Sequence, residues 1–278
     1  MQRYKLTYRN ANAIARLKGG DMYTTRMRPF SIWGVAFFLT LLLTGASTLP
    51  AAAAGPADPT PKARRLIREI RAELEPVEEQ IRNHPYITAL ENGQISLDNL
   101  RAFAGEQYHI LKSDLRSDAH MVTRFGATSG APFFVDLVNG ESIAIGLMLD
   151  FAAALGLTEA DVQAYEPRPN GQTYPNYAAW LGFYASDADI AAAYLVNFPV
   201  FGENTGRIGA ALRNRYGFTA QQTAFFDFFS SLPPSFEPAA LAIIAAGLNG
   251  CADPRSIKRA ARLLQAYEKD FWDAVAEN

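Results

Sequence analysis

Residues Leu66–Ile81 read LIREIRAELEPVEEQI, and this stretch decides the fold class. Leu66, Ile67, Ile70, Leu74, Val77 and Ile81 recur mainly at steps of three and four. That spacing lines one side of an α-helix, with the charged residues on the other. Pro76 lies inside the pattern and is expected to kink or split the helix, because proline removes one backbone donor. Asn83-His84-Pro85 breaks the pattern, and Tyr86–Leu90 predicts a short helix ended by Gly93.

The same periodicity continues to the C-terminus, with no clear alternating strand. Ser96 is an N-cap candidate for a helix over Leu97–Phe125. Val135–Leu155 predicts another helix, ended by Gly156, and Thr158 is a second N-cap candidate. Residues 166–175 (EPRPNGQTYP) read as a loop. Helices are expected at about 176–197, 200–215, 219–230, 236–248 and 254–276. The body, residues 62–278, is therefore read as one all-α domain with short connections.

The ends differ in composition. Residues 1–28 hold seven basic side chains and one acid, Asp21, which leaves 19 basic and 27 acidic residues for the rest. A mildly acidic body argues against nucleic acid as a partner, since phosphate contacts need clustered Lys and Arg. An apolar run over Phe30–Leu43 follows, then small residues through Ala51–Ala54. Residues 1–54 read as a basic leader with a signal peptide or anchor. The run is shorter than the roughly 20 residues that span a bilayer. Export is expected, with membrane attachment only through this segment if it is uncleaved. Met22 and Met27 are alternative starts. Residues 55–61 (GPADPTP) read as a linker.

Candidate chemistry is sparse. The single cysteine, Cys251, excludes an internal disulfide framework and a Cys-rich metal site. The three histidines, His84, His109 and His120, all fall before residue 121. Glu106 and His109 stand three apart and share a helix face, the Glu-x-x-His arrangement of carboxylate-bridged iron sites. An exposed pair is the alternative. Glu141 is either a first-turn acid favoured by the helix dipole or an inward carboxylate. Tyr177, Tyr184, Asn197 and Phe201 belong to an aromatic stripe that either fills the core or lines a pocket for a flat ligand. Glu268 sits beside the core-like Leu264, Phe271 and Val275, where a carboxylate needs a partner. There is no G-x-S-x-G, P-loop, dinucleotide fingerprint or H-E-x-x-H.

Taken in order, these pieces resemble the TenA/PqqC group of the heme-oxygenase-like superfamily. The resemblance is carried by His84-Pro85-Tyr86 with Leu90 and Gly93, by Leu97–Leu111, and by Leu155-Gly156-Leu157-Thr158. Asn197–Glu203 (NFPVFGE) and Glu268-x-x-Phe271-Trp272 complete it. It implies a helical bundle around a central pocket, commonly as a homo-oligomer. In TenA-type thiaminases it implies a cysteine nucleophile, a tyrosine four residues on, an acid on the second helix and the terminal glutamate. Here Asn197, Phe201 and Gln107 stand at the first three positions, with Glu106 adjacent to the third, and Glu268 is retained. An amide is no covalent nucleophile, so thiaminase-type hydrolysis is not expected. The superfamily's iron oxidases imply a different set, of which Glu106, His109 and Glu141 match half. The next helix offers Asp187 and Asp189 but no histidine.

Three readings follow from the sequence. The leading one is an exported domain that binds a small aromatic or apolar ligand in a central pocket. Glu268 and Glu106 are its candidate catalytic acids, and Gln107, Tyr177, Tyr184, Asn197 and Phe201 its ligand contacts. The second is an iron-dependent oxidase using Glu106, His109 and Glu141. The third is a non-catalytic interaction domain.

Overall fold

The structure, a computed structural model, describes residues 60–277. The expected leader, cleavage region and most of the linker lie outside the described residues. Among those residues there are ten α-helices and no strand. They are α1 (Thr60–Arg82), α2 (Pro85–Glu91), α3 (Leu97–Phe125), α4 (Ala131–Ala154) and α5 (Glu159–Ala164). After a 3-10 turn at Asn170–Gln172 come α6 (Thr173–Tyr184), α7 (Asp187–Tyr216), α8 (Ala224–Phe229), α9 (Phe236–Asn249) and α10 (Pro254–Ala276).

Local chemistry sets most boundaries. His84 caps α2, its Nδ1 accepting from the Tyr86 amide at 3.3 Å, and Pro85 occupies the first turn, where its missing N–H costs nothing. Ser96 caps α3 by accepting from the Asn99 amide. Thr158 and Asp161 form a reciprocal capping box at α5. Gly93 and Gly217 end α2 and α7 at φ +70° and +76°, a conformation that glycine adopts without a Cβ penalty.

Two proline expectations are corrected. Helix α1 runs unbroken past Pro76. The break expected near residues 198–199 lies instead at Ser186, which forms a capping box with Asp189. Pro199 is then inside α7, where it leaves the Leu195 carbonyl without its helical donor. The Arg71 side chain from α1 supplies one, donating Nη2 to that carbonyl at 3.2 Å. One tertiary hydrogen bond thus lets a 30-residue helix continue through a proline. Residues 166–175 are also only partly loop, since α6 begins at Thr173, and α4 begins four residues before Val135.

Helix α7 is the axis of the bundle. Ala188 and Ile190–Val196 are all buried, and the small Ala191–Ala193 run lets neighbours approach closely. Helix α7 packs against α10, α9, α8, α2 and α1, while α3 packs against α4 and α6. Helix α10 closes the bundle with Ile257, Leu264, Phe271, Trp272 and Val275 buried. Aromatic rings fill the centre: Phe103 lies 5.6 Å from Phe226 and 5.9 Å from Phe271, and Phe271 lies 5.1 Å from Trp272. Between these rings and α3, α4 and α6 the packing leaves an interior cavity.

Candidate functional site

The cavity measures about 30 Å³, room for roughly two waters. Its apolar wall is Ile110, Leu111, Phe198, Phe201, Phe229 and Phe271. Its polar wall is Gln107 and Asp114 of α3, Glu141 of α4, Tyr174 of α6, Asn197 of α7 and Glu268 of α10. All six are less than one-tenth exposed.

Helix geometry explains the polar wall. Gln107, Leu111, Asp114 and Asp118 recur at steps of four, three and four, so they share the inward stripe of α3. Burial then selects the acids' chemistry. Desolvation raises the Glu268 carboxyl to about 7, opposed by hydrogen bonds from Asn197 and Trp272. Trp272 Nε1 donates to Glu268 Oε1 at 2.8 Å, and Asn197 Nδ2 donates to Oε2 at 3.4 Å and to Gln265 Oε1 at 3.3 Å. Burial, then the charges of Asp118 and Glu268, push Asp114 well above the ordinary carboxylate range. Burial, then Asp114 and Asp118, do the same to Glu141. Asp118, deeper in, is raised by burial to about 7 and accepts from the Tyr194 hydroxyl at 3.3 Å. Among the described residues none of these four acids forms an ion pair. Gln107 Oε1, Asp114 Oδ1 and Glu141 Oε2 have no hydrogen-bond partner at all. Buried polar atoms are normally satisfied, so three orphaned oxygens on one small cavity mark a place built for donors.

The sequence-derived candidates separate into three groups. Gln107, Asn197, Phe201, Glu141 and Glu268 are brought together at the cavity. Glu141 is mid-helix and inward, which decides between its two readings. Glu106 is not at the cavity. It is fully buried and committed to the 165–172 loop, accepting from the Tyr165 hydroxyl at 3.1 Å, the Arg168 amide at 2.8 Å and Gln172 Nε2 at 3.0 Å. The Arg168 guanidinium lies 3.8 Å away. Gly171 lets the loop close on this carboxylate, since a Cβ there would come within 2.6 Å of Glu106 Oε2 and displace it from its partners. Tyr177 and Tyr184 are also elsewhere. With Trp180 and Tyr267 they line a surface groove between α6 and α10, where Tyr177 and Trp180 stack at 5.5 Å.

The iron reading finds no donor set that fits. Glu106 has its oxygens occupied by the loop, and His109 turns its ring edge-on to Tyr108 at 5.9 Å. Among the described residues no group of three or more His, Cys, Asp or Glu side chains is placed to hold a metal ion. His120 stacks on Phe183 at 4.1 Å, and His84 Nε2 lies 3.1 Å from Asp273 Oδ1. Cys251 is exposed in the α9–α10 turn and does not line the cavity.

The residues that sequence reasoning missed are Asp114, Asp118 and Tyr174, whereas Tyr194 belongs to the aromatic stripe that the sequence offered as core or pocket. The signal for the two acids was present in α3, where they occupy the stripe that also carries Leu111 and Met121, both buried.

Comparison with known proteins agrees with this architecture. No curated protein matches the chain. A TenA homologue protein from P. horikoshii OT3 superposes with a TM-score of 0.61 at 16% identity, covering 76% of this chain and 97% of that one. A TenA family transcription regulator from Silicibacter sp. TM1040 gives 0.59 at 19% identity, covering 79% and 99%. A domain of unknown function with a heme oxygenase-like fold from Shewanella denitrificans OS217 gives 0.58 at 16% identity, covering 76% and 91%. At these identities the neighbours establish the helical fold. The sequence profile of the TENA/THI-4/PQQC family matches residues 71–278, most of the chain, and the protein belongs to that family.

Proposed function

We propose that the domain binds a small organic molecule by a basic, donor-rich nitrogen group placed in the central cavity. The observation that carries this is the set of unpartnered acceptors on Gln107, Asp114 and Glu141. A neutral apolar guest would leave all three unsatisfied, at a cost of about 1–3 kcal/mol for each. An anion would meet acids and no base. An amine or amidine supplies both the missing donors and the missing positive charge. Phe201 and Phe271 form flat apolar walls beside it, and the Asn197 amide and Glu268 hold the far side. Glu106 lies outside this site and anchors the 165–172 loop.

With Asn197 where a nucleophile is expected, chemistry through a covalent enzyme intermediate is outside this reading. Export of the domain is part of the proposal. It is supported by the basic, apolar and Ala-rich order of residues 1–54, and N-terminal sequencing of the mature protein tests it.

The ligand reading is tested by calorimetric titration with ethylamine and acetamidine against acetate and ethanol, all small enough for the inner cavity. The bases bind and the other two do not. Binding a cation drives protons from carboxyls held above their usual range, so affinity for the bases rises from pH 6 to pH 8. Asp114→Asn and Glu141→Gln each weaken it at least tenfold. Equal binding of acetate and acetamidine refutes the reading.

A further inference from the structure

A second cavity, of about 340 Å³, adjoins the first. It lies between α4, α8, α9 and the loop joining the last two. Its size is at the lower end of ligand pockets, about 300–1,000 Å³. Phe133, Leu137, Phe228, Leu232, Phe236 and Ala239 make it strongly apolar. Glu141, Phe198 and Phe229 line both cavities, so the two spaces share one wall. Glu141, 8% exposed and with Oε2 unpartnered, is the acid common to both. The opposite end of the outer cavity reaches the surface at Pro132, Asp136, Ser231 and Ser235, all exposed.

The dividing wall is made of two rings, Phe198 and Phe229, and Phe229 also packs on Phe225 at 5.1 Å and Phe228 at 5.2 Å. Phe198 is stacked face to face between Tyr194 at 4.9 Å and Phe236 at 5.4 Å. Phe229 ends the six-residue α8 beside the exposed Ser230 and meets Phe201 edge-on at 5.3 Å. The inner cavity holds about two waters, so any guest larger than a simple amine extends past this wall.

We propose that the two cavities are one binding site for an amphipathic amine, with the nitrogen group at Glu141 and an apolar tail in the outer chamber. This rests on the cation-binding reading of the inner cavity and adds the class of molecule that it takes. Glu141 stands at the junction of head and tail, and the chamber's exposed mouth is the way in. A chamber with this lining rewards each methylene placed in it by about three- to fourfold in affinity.

The test is a titration series of primary n-alkylamines from ethylamine to octylamine, with the matching n-alkanols, on the whole protein and two variants. Ala239→Phe fills the chamber from its wall. Ser235→Phe narrows the chamber from one side of the exposed rim and leaves Pro132, Asp136 and Ser231 to frame the mouth; the Ser235 side chain makes no capping hydrogen bond. The expected result is an affinity that climbs about three- to fourfold per methylene and then levels off. Both variants keep the wild-type affinity for ethylamine and lose at least tenfold for hexylamine. Ser235→Phe keeps the test decisive if Ala239→Phe does not fold. A flat chain-length series with ethylamine still bound overturns the two-chamber site and leaves the inner-cavity reading standing. An unchanged series in a folded variant overturns it equally. If no amine binds, or the alkanols bind as well as the amines, both readings fall.

Discussion

Glu268→Gln stabilises this protein at alkaline pH and does little at acidic pH. Glu268 is 3% exposed, and burial raises its carboxyl from 4.5 to about 7. The folded protein therefore keeps this proton up to about pH 7, whereas the unfolded chain releases it near 4.5. Between those values the folded state binds more protons, so stability falls as pH rises. Below 4.5 the penalty is absent, and above 7 it is complete. At about 1.4 kcal/mol per pH unit, it amounts to about 3 kcal/mol. Glutamine has the same shape, keeps a carbonyl for Trp272 Nε1, and carries no charge to desolvate. It also removes a charge that raises Asp114, an effect of the same sign. The variant is thus about 3 kcal/mol more stable than wild type at pH 8 and about equal at pH 4.5. For a domain of this size that is roughly 6–12 °C in Tm. Urea and thermal unfolding at both pH values measure it. The same difference at both, or a variant that is less stable at pH 8, refutes the burial argument.

Three further outcomes follow from the packing. Gly146 is an exposed position inside α4 with nothing within 4 Å of an added Cβ, so Gly146→Ala raises stability by about 0.5–1 kcal/mol in urea unfolding. Glu106→Ala leaves the Tyr165 hydroxyl, the Arg168 amide and Gln172 without their acceptor. It costs about 2–3 kcal/mol, while calorimetry finds alkylamine affinity of the folded protein unchanged. Arg71→Ala strips the Leu195 carbonyl of the side-chain donor it gains across the Pro199 gap; it costs about 1–2 kcal/mol and speeds amide exchange in α7 near that point.

Helix α3 was legible to its ends: the Ser96 cap marks its start and the apolar periodicity carries it to Phe125. The same local logic failed at Pro199. Whether a proline breaks a helix depends on whether another element rescues the freed carbonyl, and Arg71 lies 124 residues from Leu195. The site divides in the same way. Glu268 and Asn197 were legible because they sit in a recognisable motif and segment. Asp114 and Asp118 were not, because a helical acid is usually solvated and only the packing of α3 among its neighbours puts these two indoors. Tyr177 and Tyr184 share a helix with the inward Tyr174, and periodicity alone does not say which side of α6 meets the cavity. Glu106 and Gln107 differ by one residue, which in a helix is about 100° of rotation. That rotation separates a loop anchor from a cavity wall.

The contact between Trp272 and Glu268 makes the interior optically legible. Trp272 is fully buried, its indole N–H lies 2.8 Å from Glu268 Oε1, and Trp180 is 49% exposed. Gain or loss of negative charge on that carboxylate alters the field along the indole and shifts its emission wavelength. In a Trp33→Phe background, which removes the third tryptophan, iodide quenches the exposed Trp180 and spares Trp272, so the two signals separate. A guest that ionises Glu268 then announces itself as a colour change in the protein's own ultraviolet light, with no label attached.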